Sequence, residues 1–307
     1  MKHWLTPSVT APSAGYIGGT QRRHFTQHRS RDFPLCDGLT LSAPLVQANL
    51  GACDGPGLAA EISRAGALGC LTIHAPEADV LRRCLAKIRQ RTSRPVLAAF
   101  TAPYESERVL QIAFEGGIRH FQVFWWNGPR LAPRIQELGG TVFWQVGTTE
   151  QVREALEAGA KVLVAQGTEA GGQVRTSVPL EQMVALVREA AGPEVPVVAG
   201  GGLATREDVA QVLRWGANAA LLGTRFLLSE ESLCSPRAKQ RLARATTRDL
   251  VLDVRVIGDW PCAPRRRLMN AFQEDAPCLY AGRGIGRIAS ILPARTIVRE
   301  LTPLPNR

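Results

Sequence analysis

Between residues 44 and 223 the chain alternates a short apolar run with an amphipathic, helix-like segment, and it does so eight times. The apolar runs are 44–50 (PLVQANL), 69–73 (GCLTI), 95–100 (PVLAAF), 120–126 (HFQVFWW), 141–146 (TVFWQV), 161–166 (KVLVAQ), 195–199 (VPVVA) and 218–223 (NAALLG). Runs apolar on both faces belong in a parallel sheet covered by helices. Between them apolar residues recur at helical spacing, as at Leu81, Leu85 and Ile88, Val152 and Leu156, and Val209, Val212 and Leu213. Gly66, Gly139, Gly159 and Gly216 fall just past the last helical residues, where a left-handed cap is common. Eight such repeats predict a (β/α)8 TIM barrel; a doubly wound open sheet is the competing arrangement. The less periodic remainder, rich in Arg and Pro, predicts a small C-terminal cap. The expected division is a flexible basic leader over 1–37, a barrel over 38–228, and a lid with a closing helix over 229–307.

With 307 residues and 45% hydrophobic content the chain can bury a large core, while no apolar run reaches the ~18 residues that span a bilayer. The formal charge of +10 is unevenly placed, because residues 1–31 hold Lys2, Arg22, Arg23, Arg29 and Arg31 and no acid. That composition predicts a loose extension on a cytoplasmic protein; an organellar transit peptide and a nucleic-acid-binding arm are the other readings of it. Seven cysteines without C-x-x-C spacing point to reduced structural thiols rather than a disulfide frame or a metal site.

In a barrel of this kind the site lies at the C-terminal strand ends, often with a phosphate held after strands seven and eight. Both places carry glycine: Gly200, Gly201 and Gly202 follow the seventh run, and Gly223 and Thr224 end the eighth, with Arg225 as a fixed positive charge beside them. The pairing predicts a phosphorylated cofactor; the bland alternative is that these glycines only permit tight turns. A third polar loop, Gln166-Gly167-Thr168-Glu169-Ala170-Gly171-Gly172-Gln173, follows the sixth run.

These three loops, the run Gly223 to Ser232, and the segment Leu279-Tyr280-Ala281-Gly282-Arg283-Gly284-Ile285-Gly286 resemble the nitronate monooxygenase family, also called 2-nitropropane dioxygenase-like. The resemblance spans about residues 38–302 and implies FMN as cofactor. It places Ala48 and Asn49 under the isoalloxazine, Gln166, Gly171 and Gly172 beside the ring, Gly200, Gly201 and Gly202 at the phosphate, and Gly223, Thr224 and Arg225 at the phosphate and ribityl end. It implies oxidation of alkyl nitronates, or a related small organic anion, with O₂. Two alternatives stand beside it: an FMN- and NAD(P)H-dependent enoyl-thioester (enoyl-ACP) reductase, and a flavin-binding scaffold or partner subunit impaired in catalysis. Neither nucleic acid nor membrane is an expected partner, and no metal is.

The chain departs from the family at one position that matters for chemistry. The family loop normally reads Glu-Ala-Gly-Gly-His, with the histidine as the usual candidate base; here Gln173 holds that place. A carboxamide exchanges hydrogen bonds but has no useful basicity. The family's polar residue after the third strand is replaced by Ala99 or Phe100, and a second histidine after the fourth by Phe124 or Trp125. His120 opens its strand, where stability rather than catalysis is expected, and His74 follows the second strand. The catalytic candidates are therefore Gln173 and Glu169, the latter equally readable as an acceptor that holds its loop. Trp125 and Trp144 are candidates for an aromatic, substrate-binding wall, with core packing the rival role. Arg265, Arg266 and Arg267 read either as a solvated surface run or as an anion dock for a pyrophosphate, coenzyme A or acyl carrier.

Overall fold

The eight apolar runs become eight parallel strands in a computed structural model that describes residues 32–73, 77–101, 107–254, 263–269 and 279–304. They are β1 (Leu45–Gln47), β2 (Gly69–Ile73), β3 (Val96–Phe100), β4 (His120–Val123), β5 (Thr141–Val146), β6 (Val162–Gln166), β7 (Val197–Gly200) and β8 (Ala219–Leu222). Their order is β1-β8-β7-β6-β5-β4-β3-β2. The ring closes where Val46 bridges Leu68 immediately before β2, with the Gln47 amide donating to Leu68 O and the Leu68 amide to Leu45 O, both at 2.9 Å. Beyond that bridge the ladder ends, and the Gln47 side chain substitutes for it, its Oε1 accepting the Cys70 amide at 3.0 Å. The sheet is therefore a barrel and not an open doubly wound sheet.

Helices α1 (Pro56–Arg64), α2 (Ala78–Arg91), α3 (Glu107–Glu115), α4 (Gly128–Glu137), α5 (Thr149–Glu157), α6 (Leu180–Ala191) and α7 (Arg206–Arg214) follow the first seven strands. Local chemistry sets their ends. A capping box of Thr205 with Asp208 starts α7, and Gly159 and Gly216 adopt positive φ just after α5 and α7. After β8 come a short helix α8 (Thr224–Leu227), then α9 (Pro236–Arg244) and α10 (Ala294–Leu301), the last packing against both α1 and α7.

Strand alternation divides the core in two. Leu45, Phe121, Trp144, Leu163 and Val197 face the helices, whereas Val46, Leu97, Phe143, Val164 and Val198 fill the barrel interior. The interior cluster is completed from below by Leu35, Leu39 and Leu41 of an antiparallel hairpin, Phe33–Cys36 with Leu39–Leu41. Regular structure thus begins inside the segment expected to be a loose leader through residue 37; residues 1–31 lie outside the described residues.

A second correction concerns the basic run. Strand Arg265–Leu268 is the centre of a three-stranded antiparallel sheet, between Leu250–Asp253 and Gly172–Gln173. All three arginines are buried, at 8%, 4% and 6% exposure, so the run is not a solvated face. Among the described residues five cysteines are free, no cluster could hold a metal ion, and no helix is long and apolar enough to cross a membrane.

Candidate active site

The loops after β6, β7 and β8 meet at the C-terminal end of the barrel. The Gly167 amide donates to Gly200 O at 3.0 Å, which ties the first two together. Gly282, from the C-terminal segment, ties in the rest: its amide donates to Thr224 Oγ1 at 2.9 Å, and a Cβ there would lie 2.9 Å from Glu169 O and 3.1 Å from the Gly171 amide. Gly201 and Gly202 have φ of 149° and 69°, conformations open chiefly to glycine, and a Cβ on Gly202 would lie 2.8 Å from the Glu169 Cβ. A Cβ on Gly223 would sit 3.5 Å from that of Ala48, so β1's end adjoins β8's end. Of the predicted cofactor residues, Ala48, Asn49, Gln166, Gly171, Gly172, Gly200, Gly201, Gly202, Gly223 and Thr224 all belong to these strand ends. Backbone amides without side chains at two adjacent loops are the donor set that a phosphate needs, and the cradle fits a flavin mononucleotide's terminal group.

Arg225, the last of the predicted cofactor residues, has its guanidinium engaged with the C-terminal segment. It is 5% exposed, and its Nη1 donates to Ser290 O at 3.0 Å, fastening α8 to the C-terminal segment.

Above the apolar interior the barrel turns polar. Gln122 and Gln145, on the inward parity of β4 and β5, are buried and joined by one hydrogen bond of 3.2 Å, which leaves Gln122 Oε1 without a partner. Gln166 ends β6; its Nε2 donates to Gln173 O at 2.8 Å and its Oε1 accepts the Arg175 amide at 3.1 Å. It therefore pins the strand that carries Gln173, whose own side-chain Oε1 is buried and unpartnered. Unmatched buried polar atoms are costly without a ligand or water, and two of them stand at the mouth where a polar ring system would lie.

Glu169 turns out to be a brace. Its carboxylate accepts the Leu180 amide at the start of α6, at 3.1 and 3.3 Å, an anion at a helix N-terminus. The loop is held further by Arg266, whose Nη1 donates to the carbonyls of Thr168 and Ala170. Arg267 pairs with the buried Asp253 at 2.8 Å.

The two tryptophans part company. Trp125, half-buried, lies in the turn after β4 with its ring edge-on to Phe124 and Trp126, and the Arg175 guanidinium stands 5.8 Å over it. Trp144 has the outward parity of β5, is fully buried in the helix-facing core, and would meet a Cβ on Gly128 of α4 at 2.3 Å from its ring. It is not part of a wall at the mouth. His74 lies outside the described residues. His120 sits buried at the opposite end of the barrel, and burial, reinforced by Arg119, pulls its pKa down to about 4.

Sequence reasoning missed Gln122, Gln145 and a buried carboxylate. Asp54 accepts from Gln47 Nε2 at 2.6 Å, from the Leu50 amide at 2.9 Å and from the Thr72 hydroxyl, and so fixes the Ala48–Leu50 turn. Burial nevertheless pushes its pKa up to about 7 against those hydrogen bonds.

A sequence profile of the nitronate monooxygenase family matches residues 124–276. The chain is 28% identical over 253 residues to a 5-hydroxy-7a-methyl-1-oxo-octahydro-1H-indene-4-carboxyl-CoA dehydrogenase of Mycobacterium tuberculosis, covering 82% of this chain and 70% of that one. It is 27% identical to a nitronate monooxygenase of Pseudomonas aeruginosa, covering 86% and 97%, and 31% identical to one of Neurospora crassa, covering 57% of each. Among solved structures, a nitroalkane oxidase from Streptomyces ansochromogenes superposes with a TM-score of 0.73 at 25% identity, covering 85% of this chain and 95% of that one. FabK from Thermotoga maritima gives a TM-score of 0.77 at 24% identity, covering 85% and 92%.

Proposed function

Since the chain belongs to the nitronate monooxygenase family of flavin-dependent oxidoreductases, we propose that it binds FMN at the barrel mouth and oxidises an alkyl nitronate, or a closely related small organic anion, with O₂. The observation that supports this reading is a glycine cradle next to a mouth whose described residues offer hydrogen bonds but no histidine. Backbone amides of Gly201, Gly202 and Gly223 would hold the phosphate, and Ala48, Asn49, Gln166 and Gly171 would line the ring. FMN bound there supplies the redox chemistry, which no side chain can.

The chain's own residues do the rest. The glycines let the backbone approach a phosphate that any Cβ would displace. Gln166 positions Gln173 through the latter's carbonyl. Gln173, as a carboxamide, orients the substrate and removes no proton. The substrate must therefore arrive already deprotonated, which a nitronate does and a neutral nitroalkane does not. Trp125, with Phe124 and Trp126 behind it, narrows the mouth and excludes water.

A second reading, an NAD(P)H-dependent reductase acting on an acyl thioester, is favoured by one observation, the similarity over 82% of the chain to a carboxyl-CoA dehydrogenase. The two readings separate in one experiment. The purified protein is expected to be yellow with one non-covalent FMN, and ethyl nitronate should bleach it anaerobically while NADPH does not. Bleaching by NADPH alone would select the thioester reading, and a colourless protein that cannot be reconstituted with FMN would overturn both.

A further inference from the structure

Several cations of this chain are buried, and most have an evident occupation. Arg225 holds Ser290 O, Lys239 holds Glu230 O, Arg266 holds two carbonyls of the β6 loop, and Arg267 holds Asp253. Arg265 differs. It is 8% exposed, yet its Nε is buried without a partner. Asp253, its neighbour across one strand pair, has its Oδ2 taken by Arg267. A guanidinium nitrogen withdrawn from water and left unmatched is costly enough to suggest an anion that completes it.

Register indicates where that anion would sit. Arg265 is directly opposite Gln173 in an antiparallel pair, and residues so placed carry their side chains on the same face. Arg266, one residue on, points to the other face, where it reaches Thr168 and Ala170. The face shared by Arg265 and Gln173 therefore presents a cationic fork between a carboxamide whose Oε1 is also unpartnered and, on its far side, the Asp253 carboxylate that Arg267 engages. Arg175, two residues on from Gln173 and so on the same face, lies against Gly147 after β5 and the Trp125 ring after β4. That puts the face at the ends of β4 and β5 and not at the glycine cradle of β7 and β8, so a cofactor phosphate does not answer it. Arg175 above the Trp125 ring adds a second positive charge at the same rim.

We propose that Arg265, with Gln173 beside it, is the anion-selecting residue of this site and binds a planar two-oxygen group of the substrate, a nitronate or a carboxylate. The assignment rests on the mouth being the substrate site, as proposed above. A guanidinium presents two parallel N–H groups that match such a group in one plane, which an ammonium cannot do. The Gln173 NH₂ supplies a further donor to the same oxygens, and no proton changes hands.

The test uses FMN-loaded protein and three small ligands: ethyl nitronate, propionate, and the neutral propionamide. Arg265→Met keeps the apolar stem and removes the charge; Arg265→Lys keeps the charge and removes the fork. Calorimetric titration should show anion binding weakened about 10–100-fold in Arg265→Met, the range for a hydrogen bond to a charged group, and partly restored in Arg265→Lys. Propionamide binding, FMN content and melting temperature should hold. For ethyl nitronate turnover, KM should rise while kcat stays. Loss confined to the nitronate or to propionate would identify which oxyanion the site takes. Anion binding unchanged in Arg265→Met, or propionamide weakened equally, would overturn the assignment. Wild-type protein without FMN would overturn the functional reading instead.

Discussion

The two ends of the barrel are built from the same eight strands and could hardly differ more. At the bottom, Leu35, Leu39 and Leu41 close the interior over Val46, Leu97, Phe143 and Val198, and even His120 is held neutral there. At the top, the inward positions carry Gln122, Gln145 and Gln166, and two buried side-chain oxygens, on Gln122 and Gln173, find no partner. The bottom is closed almost wholly by apolar side chains and so stabilises, with His120 Nδ1 its one buried side-chain polar atom without a partner among the described residues. The top gathers several polar side chains and leaves two of their oxygens unmatched, which is where a ligand belongs.

The sharpest way to break this contrast is to damage each end separately. Gly201→Val puts a branched side chain at φ 149° and into the cradle, so FMN occupancy should fall to near zero by absorbance. Trp144→Ala should cost about 3–5 kcal/mol of stability and leave ligand preference unaltered, since its ring packs toward α4. Leu35→Ala should cost about 2–5 kcal/mol in denaturant unfolding with FMN stoichiometry intact. If Leu35→Ala strips flavin as Gly201→Val does, well below its melting temperature, the two ends are not independent.

Smaller effects come from two buried titrating groups. For His120 the folded pKa of about 4 lies below the ordinary 6.5, so its contribution is present above pH 6.5 and lost as pH falls through about 4. For Asp54 the folded value of about 7 lies above the ordinary 3.8, so its contribution is present at acid pH and lost as pH rises through about 7. The first amounts to about 3 kcal/mol and the second to about 4 kcal/mol, and they oppose. His120→Phe should therefore reveal a stability that declines from pH 4 to 7, and Asp54→Asn the reverse slope. Parallel slopes in the two variants, read from chemical denaturation across that range, would contradict these environments. Trp125→Ala should do least to stability, about 1 kcal/mol or below for a half-exposed ring, while weakening aryl ligands.

The barrel was legible because strands buried on both faces leave uninterrupted apolar runs; seven of the eight runs contain their strand, and β7 extends one residue past its run, to Gly200. The cradle was legible because φ above zero leaves glycine in the sequence. Orientation was harder: Trp144 and Gln145 are adjacent, and only the strand's placement decides that the glutamine faces inward. The arginine run looked like surface because its partners, Thr168, Ala170 and Asp253, lie 12 to 98 residues away in sequence and cannot be read as a pattern. The hairpin was hidden for a related reason, being two short strands beside an acid-free basic stretch. Asp54 carries no motif; three donors converge on it only after folding.

In the proposed function Gln173 orients an anion already formed and takes no proton from a neutral substrate. Anaerobic mixing of FMN-loaded protein with ethyl nitronate and with neutral nitroethane, in wild type and in Gln173→His, tests it directly. Wild type should be bleached by the nitronate only, and the histidine variant should gain about 10²–10⁴-fold with nitroethane while its nitronate rate barely moves. Wild-type bleaching by nitroethane at a rate comparable to the nitronate would contradict the claim.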